Sequence, residues 1–119
     1  MDNGLQAAFV ARDPEVVKAY MNDPWVHRRI STGLAAWVLD KGPETVAAAA
    51  DWSLPTLLLY AGQDQLVDVQ ASARFAQAAP TSVVQAKCFE AMYHEIFNDT
   101  DKDQVFGELR RWLLARFSA

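Results

Sequence analysis

The chain has 119 residues and a formal net charge of −4, a length suited to one globular domain with a real core. Hydrophobic residues make up 51% of it and charged residues 22%, which excludes an intrinsically disordered chain. The acidic balance and the scattered basic residues argue against a nucleic-acid partner. The single cysteine, Cys88, excludes an internal disulfide and is interpreted as a small buried hydrophobe within a predicted strand.

The sequence gives no sign of a membrane span, a metal site or a cofactor. It contains neither a signal peptide nor an apolar run of about 18 residues, so we expect a cytoplasmic protein. The two histidines, His27 and His94, lie far apart and have no zinc-ligand spacing. His27 is interpreted as a partly exposed helix residue. The five glycines are dispersed, so no phosphate-binding loop is predicted.

The first half of the chain is predicted to be helical after a loosely held start over residues 1–12. Asp13-Pro14-Glu15 predicts a helix to about Met21, because Asp is a favourable N-cap and Pro is favourable at the first helical position. Asn22-Asp23-Pro24 repeats this signal and predicts a second helix. Gly42-Pro43 should end that helix, since Gly often follows a helix and Pro cannot continue one.

Apolar residues fall at helical spacing along the second predicted helix, which is typical of a face that packs on a core. These residues are Val26, Ile30, Leu34, Trp37 and Val38. A short alanine-rich helix over residues 44–50 should then lead into the second half of the chain.

The second half begins with the pattern of a buried parallel strand. The apolar run from Thr56 to Tyr60 is too short for an independent helix, does not alternate, and lies between Pro55 and Gly62. Residues 82–89 are predicted to be a second strand.

Two helices are predicted to flank these strands. One covers residues 69–79, with Asp68 as its N-cap and Pro80 at its end. The other covers residues 100–116, with Thr100 as its cap. An apolar face of this last helix should pack on the sheet. Its predicted members are Val105, Leu109, Trp112, Leu113 and Arg116.

Two residues that can carry chemistry follow the two predicted strands. Asp64 lies a few residues beyond the first strand, and His94 lies a few residues beyond the second. Because sites in α/β sheets form outside the carboxyl ends of the strands, these side chains can meet there. Taken alone, Asp64 is an ordinary turn residue and His94 an ordinary loop histidine. Their pairing favours a catalytic interpretation.

A family resemblance supports that pairing. Residues 55–68, Pro-Thr-Leu-Leu-Leu-Tyr-Ala-Gly-Gln-Asp-Gln-Leu-Val-Asp, with Tyr93-His94-Glu95-Ile96-Phe97-Asn98, resemble the C-terminal part of an α/β-hydrolase. They are most similar to the monoacylglycerol lipase and lysophospholipase group of serine hydrolases. The resemblance implies that Asp64 is the acid and His94 the base of a catalytic triad. It also implies an acyl pocket under a helical cap, which Trp25 or Trp37 would line if the apolar stripe does not simply face the core.

The sequence departs from this family at the nucleophile. The triad order is serine, acid, histidine, with the serine in a Gly-x-Ser-x-Gly turn. The only serines before Asp64 are Ser31 and Ser53, and neither lies in such a turn. An enzyme that uses Ser31 or Ser72 instead is a weaker alternative.

The fold class expected is therefore α/β, a partial α/β-hydrolase fold without its nucleophile-bearing N-terminal half. Residues 1–50 would be a helical cap portion and residues 51–119 the C-terminal part of the core. The expected function is that of a fragment of a serine ester hydrolase, inactive alone; the alternative is a non-catalytic association module. The expected partners are a lipid-like or small ester for the complete enzyme, transiently a membrane surface, and a second copy bound through an exposed sheet edge. Two parallel strands alone should also leave apolar surface exposed.

Overall fold

The structure, a computed structural model, describes residues 1–117 as helices around a two-stranded parallel sheet. The elements are a 3₁₀ turn Ala7–Phe9, α1 (Pro14–Asn22), α2 (Thr32–Ala47), a 3₁₀ turn Ala49–Asp51, β1 (Thr56–Ala61), α3 (Val69–Ala78), β2 (Val84–Phe89), a 3₁₀ turn Ile96–Asn98 and α4 (Lys102–Phe117). Within residues 1–117, none of the helices combines the length and the apolar character needed to cross a bilayer.

The sheet brings the two candidate residues to the same edge. β1 and β2 pair in parallel, from Thr56 opposite Val84 to Ala61 opposite Phe89. α3 supplies the crossover that a parallel pair requires. Both predicted strands and the helix between them are confirmed, with bounds that differ by one or two residues. Both strands therefore end at the edge beyond Ala61 and Phe89.

Among residues 1–117, two apolar clusters form the core, one near each end of the sheet. The carboxyl-end cluster consists of Ala61, Phe89, Met92, Ile96 and Val105. The amino-end cluster consists of Ala49, Phe75, Ala79 and Val84. The carboxyl-end cluster includes two residues close to His94 in sequence, Met92 and Ile96. The loop that carries the histidine is therefore packed against the core on both sides of it.

The start of the chain is held more firmly than predicted. Asp2 forms an isolated antiparallel bridge with Arg29. Val10 and Ala11 are only 2% and 3% exposed. The expectation of a loosely held segment over residues 1–12 is therefore wrong, because its last residues bury apolar side chains as deeply as the core does.

The first predicted helix is confirmed and the second begins later than expected. The Asp13 carboxylate accepts a hydrogen bond from the Glu15 N–H at 2.9 Å and caps α1. Asp23 forms a turn instead of a cap for a long helix, accepting from the Trp25 N–H at 2.8 Å. Asp-Pro is typical of turns as well as helix starts. The N-cap of α2 is Ser31, which accepts from the Leu34 N–H at 3.1 Å. His27 is exposed as predicted, but in the turn region and outside any helix.

α2 does not end at Gly42-Pro43 as predicted, and Pro43 lies inside it. An internal proline costs about 3 kcal/mol, because it removes a hydrogen bond and its ring meets the preceding turn. The last turn of α2 has tertiary contacts that offset this cost. Val46 packs against the amino-end cluster, and Ala49, just beyond the helix, is fully buried within it. The separate helix predicted over residues 44–50 is therefore the end of α2 and the 3₁₀ turn after it.

Much apolar surface stays exposed, as expected for an isolated parallel pair. On α2, Leu34, Trp37 and Val38 are each more than half exposed, so the predicted core-facing stripe does not face this core. On α4, Val105 is fully buried, whereas Leu113 is 40% exposed. The predicted apolar face of α4 is thus confirmed at Val105 and in part at Leu109 and Trp112, which are half-buried.

A buried ion pair joins Arg12, near the start of the chain, to Asp99, which precedes α4. The Asp99 side chain is fully buried, and Arg12 Nε donates to its Oδ2 at 2.9 Å, while Nη2 donates to its Oδ1. Nη2 also donates to Asp101 Oδ2 at 2.6 Å. Thr100, the predicted cap of α4, instead donates from its hydroxyl to Asp99 at 3.3 Å. The hydrogen bonds from Arg12 hold the pKa of Asp99 below its ordinary value.

This ion pair predicts a particular dependence of stability on pH. Asp99 has a lower pKa in the folded chain than its unfolded value of about 3.9. Its contribution is therefore complete above about pH 5 and is lost as pH falls through the folded pKa. Arg12→Met should lower the free energy of unfolding by about 3 kcal/mol at pH 7, because it leaves a buried carboxylate unpaired. It should also reduce the loss of stability below about pH 4.

Urea denaturation at several pH values measures both effects. The matched control is Arg111→Ala, which breaks a surface ion pair in which Arg111 Nη1 lies 2.6 Å from Glu108 Oε2. That change should cost less than about 1 kcal/mol and leave the pH profile unchanged. Equal profiles for Arg12→Met and the wild-type chain would contradict the assignment of this pH dependence to Asp99.

Candidate active site

The site is built on a close backbone contact at the carboxyl ends of the strands. Beyond the paired residues, the Gly62 N–H donates to the Phe89 carbonyl at 2.9 Å and the Gln63 N–H donates to the Met92 carbonyl at 3.0 Å. A Cβ atom on Gly62 would lie 2.5 Å from the Glu90 Cα. Only glycine permits this approach, which holds the two loops after the strands together.

Asp64 lies in the first of these loops, and its carboxylate is oriented by the backbone. Its Oδ1 accepts from the Leu66 N–H at 2.8 Å and from the Val67 N–H at 3.0 Å. The side chain is 11% exposed. One oxygen is therefore committed to the turn, and the other, Oδ2, is directed to a partner.

That partner is His94. Its Nδ1 lies 2.8 Å from Asp64 Oδ2. An ionised carboxylate only accepts hydrogen bonds, so Nδ1 carries the proton in the neutral ring and Nε2 is the basic nitrogen. The side chain of His94 is 39% exposed, and within residues 1–117 the contact with Asp64 is the only hydrogen bond of its ring. The tertiary structure thus brings together the two residues that the sequence singled out.

The backbone on both sides of His94 is anchored. Before it, Met92 is 3% exposed and its carbonyl is bonded to Gln63. After it, the Glu95 N–H donates to the Val10 carbonyl at 2.8 Å, and Ile96 is buried. The sequence does not reveal this role of Val10, because a hydrogen bond between residues so far apart has no local signal.

The other acid and one of the serines cap helices. Asp68 is the N-cap of α3, as predicted, and accepts from the Gln70 N–H at 2.9 Å. Ser31 is the N-cap of α2. Ser53 is exposed, and Ser72 lies within α3. Within residues 1–117, no serine hydroxyl hydrogen-bonds to His94.

The tryptophans proposed to line an acyl pocket lie elsewhere. Trp25 is 89% exposed. Trp37 lines an apolar groove of about 490 Å³ between α2, β1 and α3, together with residues such as Trp52, Thr56 and Phe75. Neither Asp64 nor His94 lines this groove. Thr56 begins β1 and lies five positions before Ala61 at the end next to the site, a distance of about 16 Å along a strand.

Two further titratable residues face each other on the sheet without a role at the site. Tyr60 of β1 pairs with Cys88 of β2. Burial raises the pKa of both the phenol and the thiol, so neither is activated. Cys88 is half-buried, in keeping with its interpretation as a small hydrophobe. In the part of the chain that the structure describes, no three His, Cys, Asp or Glu side chains are grouped to hold a metal ion.

Comparison with solved structures defines the class of fold. The chain aligns with the crystal structure of Paleococcus ferrophilus monoacylglycerol lipase at a TM-score of 0.90 and 30% identity, over 97% of this chain and 45% of that one. It aligns with a soluble variant of Saccharomyces cerevisiae monoglyceride lipase at a TM-score of 0.81 and 20% identity, over 95% and 42%. The second likeness supports the fold alone. The structure is thus a partial α/β-hydrolase, as the sequence predicted.

Comparison of sequences then defines the family. The family described as Hydrolase_4, serine aminopeptidase S33, matches residues 1–101, and the chain belongs to this family. The monoacylglycerol lipase of Mycolicibacterium smegmatis is 31% identical over 112 residues, which is 93% of this chain and 40% of that protein. The predicted resemblance to the monoacylglycerol lipase group is confirmed. The chain spans less than half the length of these relatives.

The contact at Gly62 yields a prediction with a control of opposite sign. Gly62→Ala should lower the free energy of unfolding by about 1–3 kcal/mol and move Asp64 away from His94, because a Cβ there forces the strand ends apart. Gly107→Ala, in α4 with open space around it, should instead stabilise the chain by about 0.5–1 kcal/mol. Chemical denaturation and the NMR signals of the His94 ring report both effects. A Gly62→Ala chain as stable as wild type, with an unchanged His94 spectrum, would show that glycine is not required at position 62.

Proposed function

We propose that the chain is the C-terminal portion of a serine carboxylic-ester hydrolase, in which Asp64 is the triad acid and His94 the triad base. The observation that carries this proposal is the 2.8 Å contact between His94 Nδ1 and Asp64 Oδ2. The two backbone donors on Asp64 Oδ1 add to it, since they set the carboxylate in one orientation. Membership of the serine aminopeptidase S33 family is consistent with serine hydrolase chemistry.

The geometry suits general base and general acid catalysis. With Nδ1 bonded to Asp64, the Nε2 atom of His94 is free to take the proton of an attacking serine hydroxyl. Asp64 holds the ring in that tautomer and stabilises the imidazolium that forms. In the next step Nε2 returns the proton to the leaving alcohol. Both steps use one nitrogen, and the carboxylate does not itself become protonated.

The substrate class proposed is a lipid-like ester of glycerol or a lysophospholipid. Its support is the pair of similar proteins named monoacylglycerol lipases, which are 30% and 31% identical to this chain. The family description names an aminopeptidase, so the choice of ester over peptide rests on these relatives. Residues 1–50 would then be part of a cap, and residues 51–119 part of the core. Contact with a membrane surface would be transient, as suits an enzyme that draws its substrate from lipid.

The nucleophile is proposed to come from sequence outside these residues, so that the chain alone is inactive. Ser31 is used as a helix cap, and Ser72 lies inside α3. Neither is on a strand-to-helix turn that exposes the hydroxyl and places backbone donors beside it. The chain also spans only 40% and 45% of the two monoacylglycerol lipases, which leaves room for that turn elsewhere.

Labelling with a fluorophosphonate probe, read by intact mass spectrometry, tests the roles of the chain. The chain alone should gain no adduct, because it lacks an activated serine. The same probe is applied to a chimera that joins this chain to the part of the Paleococcus ferrophilus enzyme that it does not cover. That chimera should be labelled on one serine. His94→Ala should slow labelling by at least about 10³-fold, since the serine loses its base.

The matched control is the other histidine. His27 is exposed, and His27→Ala should leave labelling of the chimera unchanged. Labelling of the chain alone that disappears in His94→Ala would show an activated serine within these residues and refute their proposed inactivity. Equal labelling of the chimera with and without His94 would refute the role of His94 as base.

A second candidate, a non-catalytic association module, is favoured by the exposed apolar surface. Trp37 and Val38 of α2 are more than half exposed and line the groove between α2, β1 and α3. β1 borders the same groove through Thr56 and Leu58. Two copies that join β1 edges would bring these grooves together and cover both. Such a protein would need no nucleophile.

Sedimentation velocity tests this candidate directly. Association through the groove predicts a concentration-dependent dimer that Val38→Lys weakens by at least about tenfold, because it buries a charge. Leu39→Lys is the matched control, since Leu39 is 74% exposed on the same helix and does not line the groove. A strictly monomeric chain, or equal effects of the two substitutions, would count against association through this surface.

A further inference from the structure

We propose that Arg12 is a positioning residue for His94, acting through the segment of residues 10–12, which we call the N-terminal strap. The inference rests on the proposed function, because it assigns Arg12 to the same site. It concerns a residue that no sequence pattern connects with the histidine. Arg12 and Asp99 are 87 positions apart in the chain, yet they form the buried ion pair that closes the fold.

The strap touches the His94 loop next to the histidine itself. The Val10 carbonyl accepts the Glu95 N–H at 2.8 Å, and Glu95 directly follows His94. Val10 is 2% exposed and Ala11 is 3% exposed, so this hydrogen bond lies beside a dry apolar contact. A shift of the strap would therefore be transmitted to the residue next to the base.

Arg12 fixes the strap at its other end. Its guanidinium contacts both oxygens of Asp99 and also Asp101 Oδ2, which defines its position and its plane. Asp99 is in turn held by the Asp101 N–H, which donates to its Oδ1 at 3.0 Å. The loop from His94 to Asp99 is thus bonded to the strap at Glu95 and at Asp99.

The opposite side of the loop is anchored independently. There the Met92 carbonyl accepts from Gln63, one residue before Asp64 in the other loop. His94 is therefore placed between one anchor shared with Asp64 and another made by the strap. With the strap released, the Met92 anchor and the buried side chain of Ile96 would remain, but the hydrogen bond next to His94 would be lost and the ring would be held less firmly at 2.8 Å from Asp64.

A buried ion pair is a poor source of net stability, since desolvation offsets much of the attraction. A well-packed apolar pair can replace one with little loss of stability. What an apolar pair cannot reproduce is the direction of the guanidinium contacts. This difference separates a role in positioning from a role in stability alone.

The test is ¹⁵N NMR of the His94 ring in the 119-residue chain at a pH where the ring is neutral. Wild type should show mainly the Nδ1–H tautomer, held by Asp64. Arg12→Ala should raise the ratio of the Nε2–H to the Nδ1–H tautomer by about tenfold. Arg12→Lys should give a smaller change in the same direction, because an ammonium keeps the charge but not the planar fork.

One further variant and two controls separate positioning from general stability. Arg12→Met with Asp99→Leu fills the space with apolar groups, and it carries the same expectation if Arg12→Ala does not fold. Phe75→Leu destabilises the amino-end cluster without touching the strap, and Arg111→Ala removes an exposed ion pair. Neither of these two changes should alter the His94 tautomer ratio.

The outcomes lead to distinct conclusions. A tautomer shift in the Arg12 variants alone supports the proposal. An unchanged ratio in Arg12→Ala and in the double variant overturns it, and so does an equal shift in Phe75→Leu. The measurement needs no nucleophile and no substrate. Failure of the labelling experiment would therefore overturn the proposed function without changing the result for Arg12.

Discussion

The close approach of Gly62 to the backbone of Glu90 is the constraint on which the candidate site depends. It continues the parallel pairing of β1 and β2 for one step beyond the strands, where loops would ordinarily diverge. Because the loops leave the sheet side by side, Asp64 and His94 need only short excursions to meet. A carboxylate with two backbone donors on one oxygen then presents the other oxygen to the imidazole. The geometry of the pair is set by main-chain contacts more than by its own side chains.

The carboxyl edge of the sheet is packed on a buried cluster, whereas other surfaces of the structure expose apolar side chains. The carboxyl-end cluster buries the residues under the site, whereas the groove beside α2 and α3 exposes large apolar side chains such as Trp37. The backbone nevertheless matches 45% of a monoacylglycerol lipase at a TM-score of 0.90. The contacts among the residues of this chain therefore fit the arrangement that the matching region has in the longer relative. Under the proposed function the apolar groove would be covered by the rest of the hydrolase, and under the alternative by a second copy.

Interactions across the whole chain refine the site beyond what the sheet supplies. The strap contributes a main-chain acceptor beside His94, and the ion pair between Arg12 and Asp99 holds that strap in place. An ion pair of this kind restricts the orientation of its partners, since its two hydrogen bonds fix a plane as well as a distance. Because Asp99 is buried, breaking this ion pair is costly. Its contribution to the site is to limit the movement of the histidine loop.

Local sequence signals were enough to predict the two strands, α1, α3 and the pairing of Asp64 with His94. Each rests on a signal within a few residues: an apolar run bounded by Pro and Gly, an Asp at a helix start, or a polar residue just after a strand. Asp68 was separated from Asp64 in the same way, because a cap directly precedes its helix. The hydrolase resemblance, confirmed by the family match, rests on the same short segments.

The course of α2, the burial of the chain start and the anchors of His94 depend instead on long-range packing. Asp23-Pro24 and Gly42-Pro43 carry valid local signals for a helix start and stop. The first became a turn, and the second was overridden by packing of Val46 and Ala49 on the amino-end cluster. Arg12 and Asp99 have no local signal at all. The free energy that decides these features comes from contacts between residues distant in the chain, which no short window of sequence contains.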